Sequence, residues 1–459
     1  MCRSSSEPGG PRRCSADTRT GYHRSLTTVE TLKRQQAALA AAAIYKTPAV
    51  PFTMPLPDGL ESALDAARSA GTPLIVGGAV RDAALGVTPK DIDIEVHHTD
   101  IDTLAQSYRR HGFHVDEVGQ QFGVLKISKP GEVSDLDVSV PRRDSKVAAG
   151  HRGFAVALDN EMTVTEAAER RDFTVNALLY DPDRQILLDP FGGAADLQAR
   201  TLRHVSDQFG DDPLRVLRGA QLAGRFAMTL HPDTARLCRG LLPHFHELAT
   251  ERVRDEWSKL YVKSIRPDLA VRALQDTGWD HSLPGLRSAL ADPRTAAAVT
   301  ALPRLPAADR MTVGAAIIAT TMTGEHREQF LHHTVTGAAG ARIAADLVDT
   351  ASRSLDSTYA RKRYAETMAK RHFTFDRYLT YCQALGDTKG TRAAQAAIGD
   401  GIGAGPEAPM IQGRDVLAAA GSKKPGPWVG ALVDAALDRQ HRGSFTTRTD
   451  AVQWLTNQL

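Results

Sequence analysis

The run Gly77-Gly78-Ala79-Val80-Arg81-Asp82, followed by Asp91-Ile92-Asp93, holds the residues of this chain best suited to chemistry. Paired glycines let backbone come close to a phosphate, and the helix predicted to begin there offers unpaired N–H groups and the positive end of its dipole. Asp91 and Asp93 stand two apart in a predicted strand, so their carboxylates share a face and can share a divalent cation. Each half alone has a plain explanation. A Gly-Gly pair is usually only a turn, and Asp-x-Asp on an exposed strand is usually a solvated edge. In the order strand (Leu74 to Val76), glycine turn, helix, acidic strand, they make a triphosphate cradle beside a paired-carboxylate metal site. Transfer of a nucleotidyl group needs both.

Two further pairs could do chemistry. Arg171 and Asp172 lie between a predicted helix and an apolar, strand-like segment. They can form an internal salt bridge joining those elements, or the arginine can offer its planar fork to phosphate. Asp212 and Arg215 are three apart and fall on one face of a predicted helix. As an ion pair they would contribute only a few tenths of a kcal/mol. As a base reader they would do more. A carboxylate accepts from the exocyclic amino groups of cytosine and adenine, whereas uracil and guanine present a carbonyl at that edge.

The elements that must position these residues alternate from about 55 to 195. Leu60 to Ala70, Ala79 to Leu85 and Ile101 to His111 are predicted helices. Leu74 to Val76, Asp91 to Val96, Phe113 to Val118, Val124 to Ser128 and Leu136 to Val140 are predicted strands. After 196 strand signals nearly vanish, and alanine, leucine and arginine at helical spacing dominate from Asp212 to about Ala397. Gly399 to Pro409 reads as a linker, and no internal repeat is present.

The segment LIVGGAVRDAALGVTPKDIDIEV resembles the head signature of the class II tRNA nucleotidyltransferases, a family that includes CCA-adding enzymes and bacterial poly(A) polymerases. The resemblance continues, in the family's order, through Glu169-Arg170-Arg171-Asp172-Phe173-Thr174-Val175-Asn176-Ala177 and Asp189-Pro190-Phe191-Gly192-Gly193. Asp196-Leu197, Leu202-Arg203-His204-Val205 and Asp211-Asp212-Pro213-Leu214-Arg215-Val216-Leu217-Arg218 follow, then, more loosely, Glu251-Arg252-Val253-Arg254-Asp255-Glu256. The resemblance implies an α/β nucleotidyltransferase head with a small mixed β-sheet, followed by all-α neck, body and tail domains. The boundaries expected are 1–54 for a disordered extension with one short helix in its alanine-rich stretch near Gln35 to Ile44, 55–195 for the head, 196–265 for the neck, 266–400 for the body and 401–459 for a tRNA-binding tail. Met54 is a candidate start, in which case a chain beginning there should be as soluble and active as the whole.

The same resemblance implies addition of C, C and A to the 3′ end of tRNA from CTP and ATP, with Mg²⁺ on Asp91 and Asp93. A third catalytic acid would be Asp137, which precedes Arg142 as the family's third acid precedes a similar arginine; Asp135 shares its strand parity. The implied nucleotide-binding residues are Gly77, Gly78, Arg81, Asp82, Arg171, Asp172, Asn176, Asp212, Arg215 and Arg218. The partners would be the tRNA acceptor arm and the two nucleotides, with no membrane and no obligate protein partner. Alternative readings are a poly(A) polymerase, an enzyme adding only part of CCA, and a non-catalytic tRNA-binding protein.

Two departures stand out. The family usually has arginine where this chain has Gln221, which removes one charge-assisted contact to nucleotide; Arg225, one turn on, is a candidate substitute. Some relatives also carry a phosphohydrolase module marked by a His-Asp dipeptide, which this sequence lacks, so no phosphatase activity is expected and His332-His333 reads as a surface pair.

Composition sets the outer bounds. At 459 residues the chain is too long for one compact core. A formal charge of +2 means that RNA contact must come from local basic patches. Candidates are Arg361, Lys362, Arg363, Lys370, Arg371, Lys423 and Lys424, which can equally be solvated helix faces; Tyr359, Tyr364 and Phe373 beside them can be core. The four cysteines are scattered, with no CxxC pair, and a reducing, cytoplasmic compartment is expected.

Overall fold

A computed structural model describes residues 28–89, 91–146, 154–421 and 424–459. The first part is built from strands β1 (Ala49–Pro51), β2 (Thr72–Val76), β3 (Asp93–His97), β4 (His114–Asp116), β5 (Val124–Lys129), β6 (Val133–Ser139), β7 (Arg142–Lys146), β8 (Phe154–Leu158), β9 (Leu179–Asp181) and β10 (Ile186–Leu188). The helices around them are α1 (Thr28–Tyr45), α2 (Leu60–Arg68), α3 (Gly78–Ala84), α4 (Ile101–Arg110), α5 (Val164–Glu169) and α6 (Gly193–Gln198). Eight strands make one mixed sheet in the order β1-β10-β9-β2-β3-β6-β5-β4, larger than the small sheet expected. Within it β3 and β6 run parallel, and β2 pairs antiparallel with β3 on one side and β9 on the other. The antiparallel pair β7 and β8 stands apart.

β2 is central, so both its faces are covered and it reads as an unbroken apolar run. Leu74 and Val76 join one core with Leu179, Ile186 and Leu188, while Ile75 joins the opposite one with Ile94, Ile127 and Val138. The first of these cores overturns the expectation that residues up to 54 are disordered. α1 places Ala38, Ala41 and Tyr45 on one helical face and packs them onto the sheet. The Tyr45 hydroxyl donates to the buried Asp181 at 2.8 Å, and β1 adds a strand to β10. Residues 28–54 therefore belong to the head, and Met54 itself is buried. Residues 1–27 lie outside the described residues.

Beyond 196 the chain is helical apart from the two-residue strands β11 (Thr201–Leu202) and β12 (Thr229–Leu230). The helices next to the head are α7 (Leu214–Phe226), α8 (Pro232–Gly240), α9 (Thr250–Lys263) and α10 (Pro267–Asp276), with further helices reaching to Thr456. The Gly/Pro-rich stretch after Gly399 contains no helix or strand, yet Ile402 within it is buried in the main core. A separate small core of Ile411, Val416, Ala436, Phe445, Ala451 and Leu455 follows. Among the described residues no helix is long and apolar enough to cross a membrane.

Most of the basic cluster expected to meet RNA is spent internally. Arg361 pairs with Asp400 at 2.7 Å, Lys362 with Glu407 at 2.9 Å, and Arg371 with Asp346. Tyr364 and Phe373 are core, while Tyr359 is half-buried and donates to Asp438. Arg363, Lys370 and Lys424 are exposed, and Lys423 lies outside the described residues.

Candidate functional site

β2 stops where the glycine turn begins, and its last residue, Val76, is paired with Asp93 at the start of β3. Gly77 has φ 72 and ψ −134, a conformation that disfavours any side chain. A Cβ there would stand 3.1 Å from Arg171 Nη1 and 3.8 Å from Asp93 Oδ2, so the missing side chain keeps this corner open. The same parallel register that joins β3 to β6 sets Asp93 opposite Asp137. Paired residues of neighbouring strands project to the same side, so these two carboxylates stand together. Asp135 does not join them. It has φ 54 and lies at the register shift between Ile127 and Lys129, where the parity argument fails.

Asp91 is not on the strand as expected; it sits in a bend just ahead of β3 and reaches the site from there. Burial raises the Asp93 carboxyl above its ordinary value, Arg171 opposes that, and the negative Asp137 and Asp91 reinforce it. Lys126 on β5 reaches Asp137 Oδ1 at 3.2 Å. Among the described residues no three His, Cys, Asp or Glu side chains gather closely enough to hold a metal alone. The donors present are hard carboxylate oxygens carrying mutually repelling charge. Such a pair suits Mg²⁺, which takes one or two carboxylates and fills its remaining positions with phosphate and water.

Behind the acids lies Glu95, which sequence reasoning missed. It follows Asp93 by two residues on the same face of β3, and only its side chain's 1 % exposure distinguishes it from a third surface acid. Its carboxylate meets His97 Nε2 at 3.2 Å, Arg170 Nη2 at 3.1 Å and Arg171 Nη2 at 3.7 Å. Burial pushes this carboxyl up, but the His97 hydrogen bond and the charges of Arg171 and Arg170 outweigh it and hold the group well below the carboxylate range. Glu95 thus anchors the arginine pair. Arg171 keeps its guanidinium between Glu95 and the open corner at Gly77.

Five of the predicted residues form one chain of hydrogen bonds, closed by an ion pair, from α3 to α7. Asp82 accepts from Arg81 Nε at 2.9 Å, Arg81 Nη1 donates to Asn176 Oδ1, and Asn176 Nδ2 donates to Asp172 Oδ1 at 2.8 Å. Asp172 Oδ2 then takes Arg218 Nε at 2.6 Å. Asp172 is an internal tie, but to Arg218 on α7 and not between the two elements that flank it. Burial raises its carboxyl, but Arg218, Asn176 and the Phe173 N–H together lower it. Arg81 is buried and lies 4.2 Å over the Phe226 ring, so it forms part of the wall and is not an open hand for phosphate.

Asp212 does not share a helix face with Arg215. It precedes α7, and its Oδ1 accepts from the Leu214 N–H at 3.2 Å as the helix begins. Its ion-pair partner is Arg252 on α9, with Nη2 at 2.7 Å from Oδ2 and Nη1 at 3.4 Å from Oδ1. Arg215 turns the other way, donating to the Gln208 carbonyl at 2.9 Å and the Arg170 carbonyl at 2.7 Å. Arg252 was visible in the sequence only as part of a loosely matching block.

These residues border two adjoining cavities between sheet and helices. One, of about 260 Å³, is lined by Gly77, Asp93, Arg171, Asp172, Asn176, Asp212, Arg215 and Arg252, among others. The second, of about 500 Å³, is lined by Arg81, Asp82, Asp91, Gln221, Arg225, Glu256, Lys259 and Lys263, among others. Gly78, Asp93 and Arg218 border both. The cleft thus joins a carboxylate pair, a bank of arginines and a polar pocket able to read a planar ring. His332 and His333 lie outside it, the former exposed.

Comparison with known proteins bears on this arrangement. Residues 74–203 match the family of the Poly A polymerase head domain. The Multifunctional CCA protein of Stenotrophomonas maltophilia (strain R551-3) is 38% identical over 208 residues, 44% of this chain and 48% of that protein. That of Azoarcus sp. (strain BH72) is 37% identical over 208 residues, 44% of this chain and 47% of that protein. The chain spans about half the length of these curated relatives. In fold it is similar to the Bacillus stearothermophilus CCA-adding enzyme in complex with CTP, with a TM-score of 0.65 and 21% identity over 88% of this chain and 98% of that one. The Thermotoga maritima CCA-adding enzyme complexed with tRNA is similar at a TM-score of 0.57 and 16% identity, over 88% and 98%.

Proposed function

We propose that the chain, whose residues 74–203 match the Poly A polymerase head domain, is a class II tRNA nucleotidyltransferase that adds C, C and A to the 3′ end of tRNA, using CTP and ATP, in the cytoplasm. The observation that carries the reading is the joined cleft, in which Asp93 borders both the pocket of Asp212 and the cavity of Asp91. In this reading 28–195 is the head, 196–265 the neck, 266–400 the body and 401–459 a tail that meets RNA.

The base lies in the smaller cavity. Its amino group donates to Asp212, and its adjacent ring nitrogen, an acceptor in both cytosine and adenine, takes a hydrogen bond from one of the Arg215 N–H groups left over once the guanidinium has bound the Gln208 and Arg170 carbonyls. Uracil and guanine reverse both positions and are refused. An ionised carboxylate has about four lone-pair sites. Arg252 fills two and the Leu214 N–H a third, which leaves one for the base. Arg171 faces the phosphates beside Gly77, while Asp172 and Asn176 hold Arg218 and Arg81 in the wall.

Asp137 stands beside Asp93 and orients the attacking 3′-hydroxyl. The hydroxyl oxygen forms a bond to the α-phosphorus, the α–β phosphoanhydride bond breaks, and pyrophosphate leaves. Mg²⁺ held by Asp91 and Asp93 supplies, when bound, a Lewis acid for hydroxyl activation and charge neutralisation.

The test is extension of a tRNA transcript ending at its discriminator base, with Mg²⁺ and each nucleotide alone or together. Incorporation from CTP and then ATP, but from neither UTP nor GTP, supports the proposal. A long adenylate ladder from ATP alone makes the enzyme a poly(A) polymerase, and binding of tRNA without any extension makes it a binding protein.

A further inference from the structure

We propose that Lys259 and Lys263 of α9 supply to the nucleotide's β- and γ-phosphates the positive charge that Gln221 of α7 lacks. The inference rests on the reading of the cleft as a nucleotide site and adds two residues to it.

Gln221 is 3% exposed and borders the larger cavity, and its Nε2 has no hydrogen-bond partner among the described residues. Glu256 borders the same cavity, is 5% exposed, and has an unpartnered Oε2. A guanidinium at 221 would bring charge to this wall; an amide brings a donor and no charge. Arg225 does not replace it. Its guanidinium is held 3.5 Å from Asp82 and 4.6 Å over the Phe226 ring, on a carboxylate already shared with Arg81.

The charge comes from α9. Arg252, Glu256, Lys259 and Lys263 are spaced four, three and four residues apart and so fall on one helical face. That face runs along the whole cleft, with Arg252 in the cavity of Asp212 and the other three in the cavity of Asp91. Lys259 Nζ lies 2.7 Å from Glu256 Oε1 and its side chain is 42% exposed. Lys263 is exposed and has no ion-pair partner among the described residues. A nucleotide with its base at Asp212 and its α-phosphate at Asp93 must carry the rest of its phosphates into this second cavity. There Arg81 and Arg225 are held on Asp82 and Arg218 on Asp172, so Lys263, and Lys259 beyond its contact with one oxygen of Glu256, are the charge left for phosphate, acting as point charges.

The test compares the full chain with the Lys259→Met/Lys263→Met variant, by steady-state extension of tRNA and by calorimetric titration with CTP, which requires no turnover. Loss of two charge-assisted contacts should raise KM for CTP and ATP, and the Kd for CTP, by about tenfold while kcat stays within about twofold. Lys263→Met alone, at an exposed position, should give about a threefold rise. Adding Gln221→Arg to the double variant should bring KM back towards the parent, because it returns charge to the same cavity from the opposite helix. Unchanged Kd and KM in the double variant overturn the proposal, as does a raised Kd that Gln221→Arg fails to lower. If the parent chain binds CTP but extends no RNA, the family-based activity fails while the binding arm still decides this inference.

Discussion

Asp93 on β3 and Asp137 on β6 are register partners across the one parallel pairing in the eight-stranded sheet, whereas Asp135 is turned away by a positive φ at a register shift. This separates two acids that the sequence presents as equivalent. Asp93→Ala and Asp137→Ala should each lower kcat by more than about a hundredfold. Asp135→Asn should stay within about twofold of the parent in activity and stability. Equal losses for Asp135 and Asp137 would show that the register does not define the site. Affinity for tRNA, measured by filter binding, should survive all three changes, because none of these acids holds RNA in the account.

Arg252 holds both oxygens of the Asp212 carboxylate and fixes its plane. Without that partner Asp212 can rotate away from the edge of the base. Arg252→Met should therefore cut discrimination between CTP and UTP by about tenfold in a competition assay. Unchanged discrimination would mean that Asp212 is held by something else.

A chain starting at Met54 would lose α1 and β1 and uncover Leu74, Val76, Leu179, Ile186 and Leu188. At about 25 cal/mol per Å² of apolar surface, several exposed aliphatic side chains amount to several kcal/mol. Removal of residues 1–53 should lower Tm or yield insoluble protein, while removal of residues 1–27 keeps both elements. Thermal unfolding of the two truncations decides the matter, and an equally stable 54–459 chain would contradict the packing described.

Asp172 gives a pH dependence with a defined sign. Its folded-state value lies below the ordinary 3.8, because Arg218, Asn176 and a backbone N–H outweigh its burial. Its contribution to stability is therefore fully present above pH 3.8 and is lost as the pH falls through the depressed value. Urea unfolding below pH 5 should show a smaller acid-side loss of stability for Asp172→Asn than for the parent. A steeper loss in the variant would reverse the sign and refute the assignment.

Much of the site was legible because its motifs are local. The glycine turn, Asp93 and the α7 arginines are placed by neighbours in sequence, so residue type and spacing reach them. What stayed hidden depends on partners far along the chain. Glu95 becomes a buried anchor only because Arg170 and Arg171, some 75 residues on, fold against it. Arg252 meets Asp212 across 40 residues, which no local period reports. Asp91 was misplaced by one structural step, since the strand begins at Asp93. The alanine-rich stretch of α1 is legible as a short helix, but not its packing, because Ala38, Ala41 and Tyr45 meet strands more than a hundred residues on as well as β2. The basic cluster after 360 misled in the opposite direction, because Arg361, Lys362 and Arg371 already have acidic partners.

Base choice and stopping point are read together by sequencing the 3′ ends formed on three tRNA acceptors: one ending at the discriminator base, one after the first C and one after both. Each is incubated with the protein, Mg²⁺ and all four nucleotides. CCA, CA and A should be added respectively, with no U or G and nothing beyond the terminal A. Runs of A on every acceptor, or incorporation of U and G at rates comparable with C and A, would contradict CCA addition.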